Sequence, residues 1–185
     1  MNYTFQKKPG SWVIVDGFGS GKHYVRLLKE KGNNVYHVQS TENVAEYLRK
    51  SFDPHQYKAN FIHTGDYEKI LNELRSIEDL VFLVPGCETG VVLADFLSED
   101  LGAPTNGRFK SSSRRNKFDM VKALYASNVR AAKTFCVGSL EELEAISKEL
   151  GLPAVIKPCE SAGSDGVLIC KTKAELFAAF QKIHR

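Results

Sequence analysis

Trp12-Val-Ile-Val15, closed by Asp16-Gly17, is the stretch of sequence that decides the fold. These four apolar residues end in a turn, and Tyr24-Val-Arg-Leu-Leu-Lys-Glu-Lys31 then shows helical spacing before Gly32. Apolar and polar residues do not alternate along the run, which is typical of a strand that is covered on both faces. The stretch therefore predicts a strand, a turn and a helix at the start of a parallel sheet.

The same order of apolar run, turn and helix repeats through the first half of the chain. The sequence predicts further strands at residues 34–38, 59–63 and 80–84, separated by helices around residues 42–50 and 70–77. Strands that alternate with helices favour an α/β fold with a Rossmann-like parallel sheet and right-handed crossovers. Ligands of such sheets bind beyond the carboxyl ends of the strands, so the turns at residues 16–22 and 85–90 are candidate site loops.

The pattern changes after Gly102-Ala-Pro-Thr-Asn-Gly107, and we expect a division of the chain there. The expected parts are a Rossmann-like domain (residues 1–107), a basic helical linker (108–133) and a small, incomplete α+β unit (134–185). In that last unit the sequence predicts short strands at residues 134–137, 154–156 and 167–170. Ser139 with Glu142, and Thr172 with Glu175, have the spacing of capping boxes that open two helices.

Composition indicates an ordinary globular protein. Its 185 residues are 43% hydrophobic and 25% charged, which excludes collagen-like, disordered and disulfide-rich classes. No apolar run approaches the roughly 18 residues of a membrane span, and no apolar signal segment follows Met1, so neither a membrane partner nor secretion is expected. The four cysteines are widely spaced and lack a C-x-x-C pair, which predicts free thiols in a reducing cytoplasm.

Positive charge is concentrated in residues 108–133, the basic band, which holds eight basic residues and one acid, Asp119. The net charge of the whole chain is only +3, so the remainder is mildly acidic. Because that remainder would repel a phosphate backbone, nucleic acid is not the expected partner. A small polyphosphate ligand fits the band better, and a solvated helix face is the alternative.

Gly17-Phe-Gly-Ser-Gly-Lys22 has the look of a nucleotide-binding loop but matches neither common pattern. A Walker loop needs Gly at position 16 and Ser or Thr at position 23, where this chain has Asp16 and His23. The third glycine of a dinucleotide fingerprint falls one place early. A tight strand-to-helix turn is the favoured interpretation, and weak anion binding at the start of the helix stays open.

Ala154-Val-Ile-Lys157-Pro158, followed by Ser161-Ala-Gly-Ser-Asp-Gly166, is the most informative stretch for function. Lys157 ends an apolar strand, so its ammonium is held near one place. The backbone N–H groups of a glycine-rich turn can approach an anion without obstruction by Cβ atoms. Together with Lys117 of the basic band, the stretch predicts a polyphosphate clamp; the alternative is a surface hairpin with an incidental lysine.

These residues resemble the ATP-grasp superfamily, and within it the carboxylate–amine ligase branch that includes L-amino acid ligases. The likeness is carried by Arg114-Arg-Asn-Lys117, Val129-Arg-Ala-Ala-Lys-Thr134, Leu152-Pro-Ala-Val-Ile-Lys157-Pro158 and the turn at Ser161. Gly86-Cys-Glu-Thr-Gly-Val91, Leu93-Ala-Asp95 and Gly102-Ala-Pro-Thr-Asn106 resemble the domain that precedes the ATP-grasp domain in that branch. The resemblance covers nearly the whole chain, as the N-terminal portion of such a ligase.

The resemblance implies a pre-ATP-grasp domain, a partial ATP-grasp lid subdomain, and a reaction in which ATP phosphorylates a carboxylate before an amine displaces phosphate. It implies that Lys117 and Lys157 contact the phosphates of ATP and that a loop folds over them. That loop comprises Ser161, Ala162, Gly163, Ser164, Asp165 and Gly166. The ligands of magnesium and the catalytic groups of such a ligase are expected beyond Arg185, so this chain, as a truncated ligase, is expected to be inactive alone.

Glu88, in the turn after the most apolar strand, has two interpretations. It could bind the amino group of a substrate, or it could be an acid favoured by the positive end of a helix. For the whole chain, the alternative to a ligase portion is a non-catalytic α/β module that binds a small metabolite or a partner chain. We also expect either a homodimer or a mobile second unit, because the small unit would expose a sheet edge.

Overall fold

The computed structural model describes residues 9–161 and 164–184. These residues form two compact units, the first ending at Ser111 and the second beginning at Ser112. Residues 112–133 of the expected linker thus group with the second unit, and the division into three parts stays a prediction. No helix in the described ranges is long and apolar enough to cross a membrane.

The first unit is a four-stranded parallel sheet flanked by helices, which confirms the predicted α/β class. The sheet has the order β3-β2-β1-β4, with every neighbouring pair parallel. Its elements are β1 (Ser11–Val15), α1 (Lys22–Glu30), β2 (Asn34–Gln39), α2 (Glu46–Arg49), β3 (Asn60–Ile62), α3 (Tyr67–Arg75), β4 (Leu80–Pro85) and α4 (Val91–Asp100). The helix expected at residues 42–50 is shorter than predicted.

Packing on both faces of strand β1 explains why its sequence shows no alternation of apolar and polar residues. Val13 and Val15 belong to the core on the face covered by α3 and α4, whereas Ile14 packs on the opposite face with Val25 of α1. All three strand residues are fully buried. Residues 13–15 of this central parallel strand are therefore apolar toward both faces of the sheet.

The turns at the carboxyl ends of β1 and β4 lie against each other, backbone to backbone. A Cβ atom at Gly86 would lie 2.5 Å from the carbonyl oxygen of Asp16, and one at Gly21 would lie 2.6 Å from that of Gly86. A Cβ atom at Gly90 would lie 2.5 Å from the carbonyl oxygen of Val15. The glycines at these three positions are required by close packing of the two turns.

The second unit holds a two-stranded antiparallel sheet and its helices. After α5 (Ser111–Arg115), which spans the division, it contains α6 (Lys117–Ala126), α7 (Leu140–Ser147), β5 (Ala154–Ile156), β6 (Leu168–Cys170) and α8 (Lys173–Ile183). Its core is built around Leu143, Cys170, Leu176 and Phe180. The hydroxyl groups of Ser139 and Thr172 accept the N–H groups of Glu142 and Glu175, as the two capping boxes predict.

The prediction of a strand at residues 134–137 is wrong. Residues 131–137 form no regular element, and the sheet of this unit pairs only β5 with β6 among the described residues. The segment is fastened by side chains: the Tyr125 hydroxyl donates to the carbonyl oxygens of Ala131 (3.2 Å) and Ala132 (3.0 Å). Thr134 to Val137 have the residue types of a strand, but extended backbone becomes a strand only beside a second strand.

We expect Gly86→Ala to lower the free energy of unfolding of the first unit by about 2 kcal/mol or more, because the new methyl group would collide with rigid backbone. Urea denaturation followed by the fluorescence of Trp12, the single tryptophan, measures this unit directly. Ser20→Ala, at an exposed position in the facing turn, is the control and should change stability by less than about 0.5 kcal/mol. Equal losses in both variants would contradict the packing argument.

Candidate functional site

Lys117 is placed by the start of α6. The side chain of Asn116 caps this helix by accepting the N–H groups of Phe118 (3.0 Å) and Asp119 (3.1 Å). The backbone N–H of Lys117 donates to the carbonyl oxygen of Cys159 at 2.9 Å. The first turn of α6 is therefore bonded to the segment that follows β5.

The ammonium of Lys117 lies on the first residue of the predicted phosphate loop. Its Nζ donates to the carbonyl oxygen of Ser161 at 2.9 Å and to the Ser161 hydroxyl at 3.2 Å. An ammonium group has three donors, so these two bonds use two of them. Two segments that are 44 residues apart in the sequence thus meet at one charged group.

Lys157 follows β5 directly and is exposed. Within residues 9–161 and 164–184 its ammonium group has no hydrogen-bond or ion-pair partner. A cation without an acid beside it keeps its charge available to a ligand. This arrangement differs from that of Lys133 in the basic band, whose Nζ lies 3.5 Å from Glu149.

The described part of the loop, residues 164–167, forms a turn that leads into β6. Ser164 (φ 63°) and Gly166 (φ 70°) have left-handed backbone conformations, and the N–H of Val167 donates to the carbonyl oxygen of Ser164 at 3.2 Å. Asp165 is exposed. Ala162 and Gly163 lie outside the described residues. A Cβ atom at Gly166 would lie 2.8 Å from Cγ of Pro158, so both backbone conformation and space require glycine there.

Several side chains of the basic band have acidic partners. Arg108 belongs to the first unit, where it forms ion pairs with Glu99 (3.1 Å) and Asp100 and lies over the ring of Phe96. Lys122 lies 3.9 Å from Asp119. These ion pairs neutralise part of the positive charge of the band. Lys117 is the member of the band for which the structure describes a contact with the loop.

In the first unit, Asp16 was not predicted as a functional residue, yet it organises the candidate site loops. Its buried carboxylate accepts the N–H of Ser40 (2.7 Å), the hydroxyl of Ser40 (2.5 Å) and the hydroxyl of Thr89 (2.5 Å). A charged residue directly after an apolar strand was the available signal, because a buried carboxylate needs hydrogen-bond donors. Glu88, beside Thr89, is exposed and begins a 3₁₀ turn, Glu88–Gly90.

His37 also holds this region and was not singled out from the sequence. Its Nε2 accepts the N–H of Gly17 at 3.0 Å, so Nδ1 carries the proton and donates to the side-chain oxygen of Asn60. Burial lowers the pKa of His37, which favours the neutral ring that this pair of bonds requires. The glycine-rich turn is thus bonded to β2, as a structural turn would be.

A cavity of about 210 Å³ lies beside the first turn of α1. Lys22, His23 and Arg26 line it together with Tyr57, whose pKa burial raises to about 12. Anion binding near this helix end therefore stays a prediction. Across the described residues, no group of three or more His, Cys, Asp or Glu side chains could hold a metal ion.

Comparison with known proteins gives a consistent likeness for the chain. Residues 114–185 match the family model of the ATP-binding domain of the carbamoyl-phosphate synthase L chain. The chain is 31% identical over 179 residues to dapdiamide A synthase from Enterobacter agglomerans, in an alignment that covers 92% of this chain and 41% of that protein.

Solved structures show the same fold. The structure of an L-amino acid ligase from Bacillus licheniformis superposes on this chain with a TM-score of 0.72 and 15% sequence identity. The match covers 97% of this chain and 42% of the ligase chain. The structure of N5-carboxyaminoimidazole synthetase from Staphylococcus aureus, complexed with ADP, has a TM-score of 0.69 and 17% sequence identity to this chain. The match covers 98% of this chain and 47% of the synthetase chain. The chain spans less than half the length of each of these proteins.

We expect Gly166→Ala to destabilise the β5–β6 hairpin by about 2 kcal/mol or more, through a strained φ and the collision with Pro158. Hydrogen exchange of the amides of β5 and β6 reports this loss locally. Adding Pro158→Ala removes the ring carbons, so the double variant should recover part of the protection. If the double variant is no more protected than Gly166→Ala alone, the collision is not the cause.

Proposed function

We propose that this chain, which is similar to the N-terminal portion of ATP-grasp carboxylate–amine ligases, provides the lysines and the loop that hold the phosphates of ATP in such a ligase. The observation that carries the proposal is the bond between the Lys117 ammonium and Ser161. It joins a basic helix end to a glycine-rich loop within one unit. A polyphosphate clamp needs both of these parts.

Charge supports the choice of a polyphosphate as the ligand. Lys157 is exposed, and no acid among the described residues pairs with it. Lys117 is held by neutral oxygen atoms of Ser161 rather than by a carboxylate. The two ammonium groups therefore keep their positive charge toward a ligand, and phosphate oxygens are strong acceptors for such donors.

In the proposed reaction, ATP supplies a phosphoryl group to a small-molecule carboxylate, and an amine then displaces phosphate from the acyl phosphate. The role of this chain in that reaction is to bind and orient the phosphates of ATP and to neutralise their charge. Lys117 and Lys157 would offset negative charge on the phosphates, and the loop of Ser161, Ser164, Asp165 and Gly166 would cover them. Glu88, exposed at the carboxyl end of β4, would bind the amino group of a substrate.

Magnesium accompanies ATP in phosphoryl transfer. Magnesium bound with ATP takes phosphate oxygens and only one or two carboxylates, and the described residues contain no group of three or more His, Cys, Asp or Glu side chains that could hold a metal ion by itself. Lys117 and Lys157 are cations and cannot act as its ligands. The proposal therefore assigns magnesium no residue of this chain.

A cytoplasmic location and a homodimer are part of the proposal. All four cysteines are free, as expected in a reducing compartment. Val155 and Ile169 are directly opposite each other in the β5–β6 sheet and are 57% and 70% exposed. An exposed apolar pair on a two-stranded sheet favours pairing with a second copy.

We expect the chain by itself to bind ATP weakly, with a dissociation constant on the order of 1 mM, because contacts to phosphates act alone. Titration of the backbone amides with ATP by NMR should shift the signals of the loop at residues 161–166. Lys157→Ala should weaken binding about fivefold, which corresponds to roughly 1 kcal/mol. Lys171→Ala is the control, because this lysine is also exposed and follows the other strand of the same hairpin.

Two results of this titration would contradict the proposal. If Lys157→Ala and Lys171→Ala weaken binding equally, the lysine at the end of β5 has no special role. If ATP shifts only amides of the first unit, the clamp is a surface hairpin, and the chain is better described as a module that binds small molecules elsewhere.

Light scattering should give the mass of a dimer for the unmodified chain, and Ile169→Lys should convert it to a monomer by placing a charge on the exposed apolar pair. Tyr47→Lys is the control, since Tyr47 is 72% exposed but lies in α2 of the first unit. A monomer in the unmodified chain at high protein concentration would contradict the dimer.

A further inference from the structure

Two cysteine side chains meet in the second unit next to the phosphate loop. Sγ of Cys136 lies 3.8 Å from Sγ of Cys159, a hydrogen-bond contact between residues that are 23 positions apart. Both thiols are free. A disulfide would need the sulfur atoms about 2.05 Å apart, so the thiols are neighbours that stop short of a bond.

We propose that Cys136 and Cys159 form a redox modification site, at which a hydroperoxide converts the two thiols into a reversible intramolecular disulfide. The thiolate of Cys136 attacks one peroxide oxygen, the O–O bond breaks, and Cys136 becomes a sulfenic acid while hydroxide leaves. The sulfur of Cys159 then displaces the sulfenic oxygen, which leaves as water. The two thiols lose two electrons and two protons, and hydrogen peroxide is reduced to two molecules of water.

The surroundings assign the order of these two steps. Cys136 is exposed, so it meets the oxidant first, whereas Cys159 is half-buried. Burial and the bond to Cys136 raise the pKa of Cys159, which suits a thiol that reacts second. Lys117 acts against this shift, since its positive charge favours the thiolate of Cys159.

The backbone around both cysteines permits the remaining approach of the sulfur atoms. Cys136 lies in the irregular segment 131–137, and Cys159 lies in the loop that follows β5, so neither belongs to a helix or a strand. Rotation about the side-chain bonds and small backbone shifts can close the gap without breaking a ladder of backbone hydrogen bonds. The fastening of Ala131 and Ala132 by Tyr125 keeps the segment of Cys136 near its partner.

The other two cysteines have different surroundings. Cys170 is 1% exposed within the core of the second unit, and Cys87 contacts the hydroxyl of Thr89 in the first unit. Cys136 and Cys159 are the cysteines between which the structure records a sulfur–sulfur contact. The site is therefore defined by a pair of thiols, with internal controls in the same chain.

Oxidation would act on the phosphate loop, a consequence that rests on the proposed function. The carbonyl oxygen of Cys159 accepts the N–H of Lys117, and Ser161 accepts the ammonium of the same lysine. A disulfide that draws Cys159 toward Cys136 pulls on both bonds. We expect the oxidised chain to bind ATP roughly fivefold or more weakly than the reduced chain.

The test treats the chain with hydrogen peroxide and maps its peptides by mass spectrometry before and after reduction. The expected result is a peptide pair joining Cys136 to Cys159, with the loss of two hydrogen atoms, which dithiothreitol reverses. Cys136→Ser and Cys159→Ser should each abolish this pair, and Cys87→Ser should leave it intact. Overoxidation of Cys136 without a crosslink, or a crosslink to Cys87 or Cys170, would overturn the proposal.

The NMR titration with ATP, repeated on the oxidised chain and on oxidised Cys136→Ser, tests the effect on the loop. Weaker binding in the crosslinked chain alone supports the coupling, and equal binding in both overturns it. If the reduced chain does not bind ATP at all, the proposed function fails, whereas the peptide map still decides whether the disulfide forms.

Discussion

The carboxylate of Asp16 is the point on which the first unit depends. It is 1% exposed and carries a charge at the carboxyl end of the central strand, which is costly unless the charge is fully hydrogen-bonded. Ser40, from the loop after β2, and Thr89, from the turn after β4, satisfy it. One side chain thus joins the ends of three neighbouring strands, and the close packing of Gly86 on the backbone of Asp16 follows from the same arrangement.

The parallel sheet could be predicted because its evidence is local. An apolar run such as residues 12–15 indicates burial on both faces, and residue pairs such as Ser139 with Glu142 mark a helix start through atoms only a few positions apart. The partners of Asp16 could not be predicted, because a buried acid indicates only that hydrogen-bond donors must lie beside it. The order of the strands in the sheet decides which loops supply those donors. That order cannot be derived from a single sequence.

The candidate site shows the same limit. Lys117, Lys157 and the loop at Ser161 were selected from residue type and spacing, and the structure describes a direct bond between Lys117 and Ser161. Their role toward a nucleotide stays a prediction. The strand expected at residues 134–137 was wrong because propensity favours extended backbone without providing a neighbour. The approach of Cys136 to Cys159 depends on that irregular segment, so spacing alone could not reveal it.

The bond between the Lys117 ammonium and the Ser161 carbonyl gives the loop a resting position. If the chain holds phosphates as proposed, a phosphate oxygen that accepts from this ammonium either replaces one of the two Ser161 oxygens or takes the third donor. The first case exchanges a neutral acceptor for a charged one, whereas the second leaves Ser161 bonded and brings the phosphate beside it. In either case the anion and Ser161 share one ammonium group.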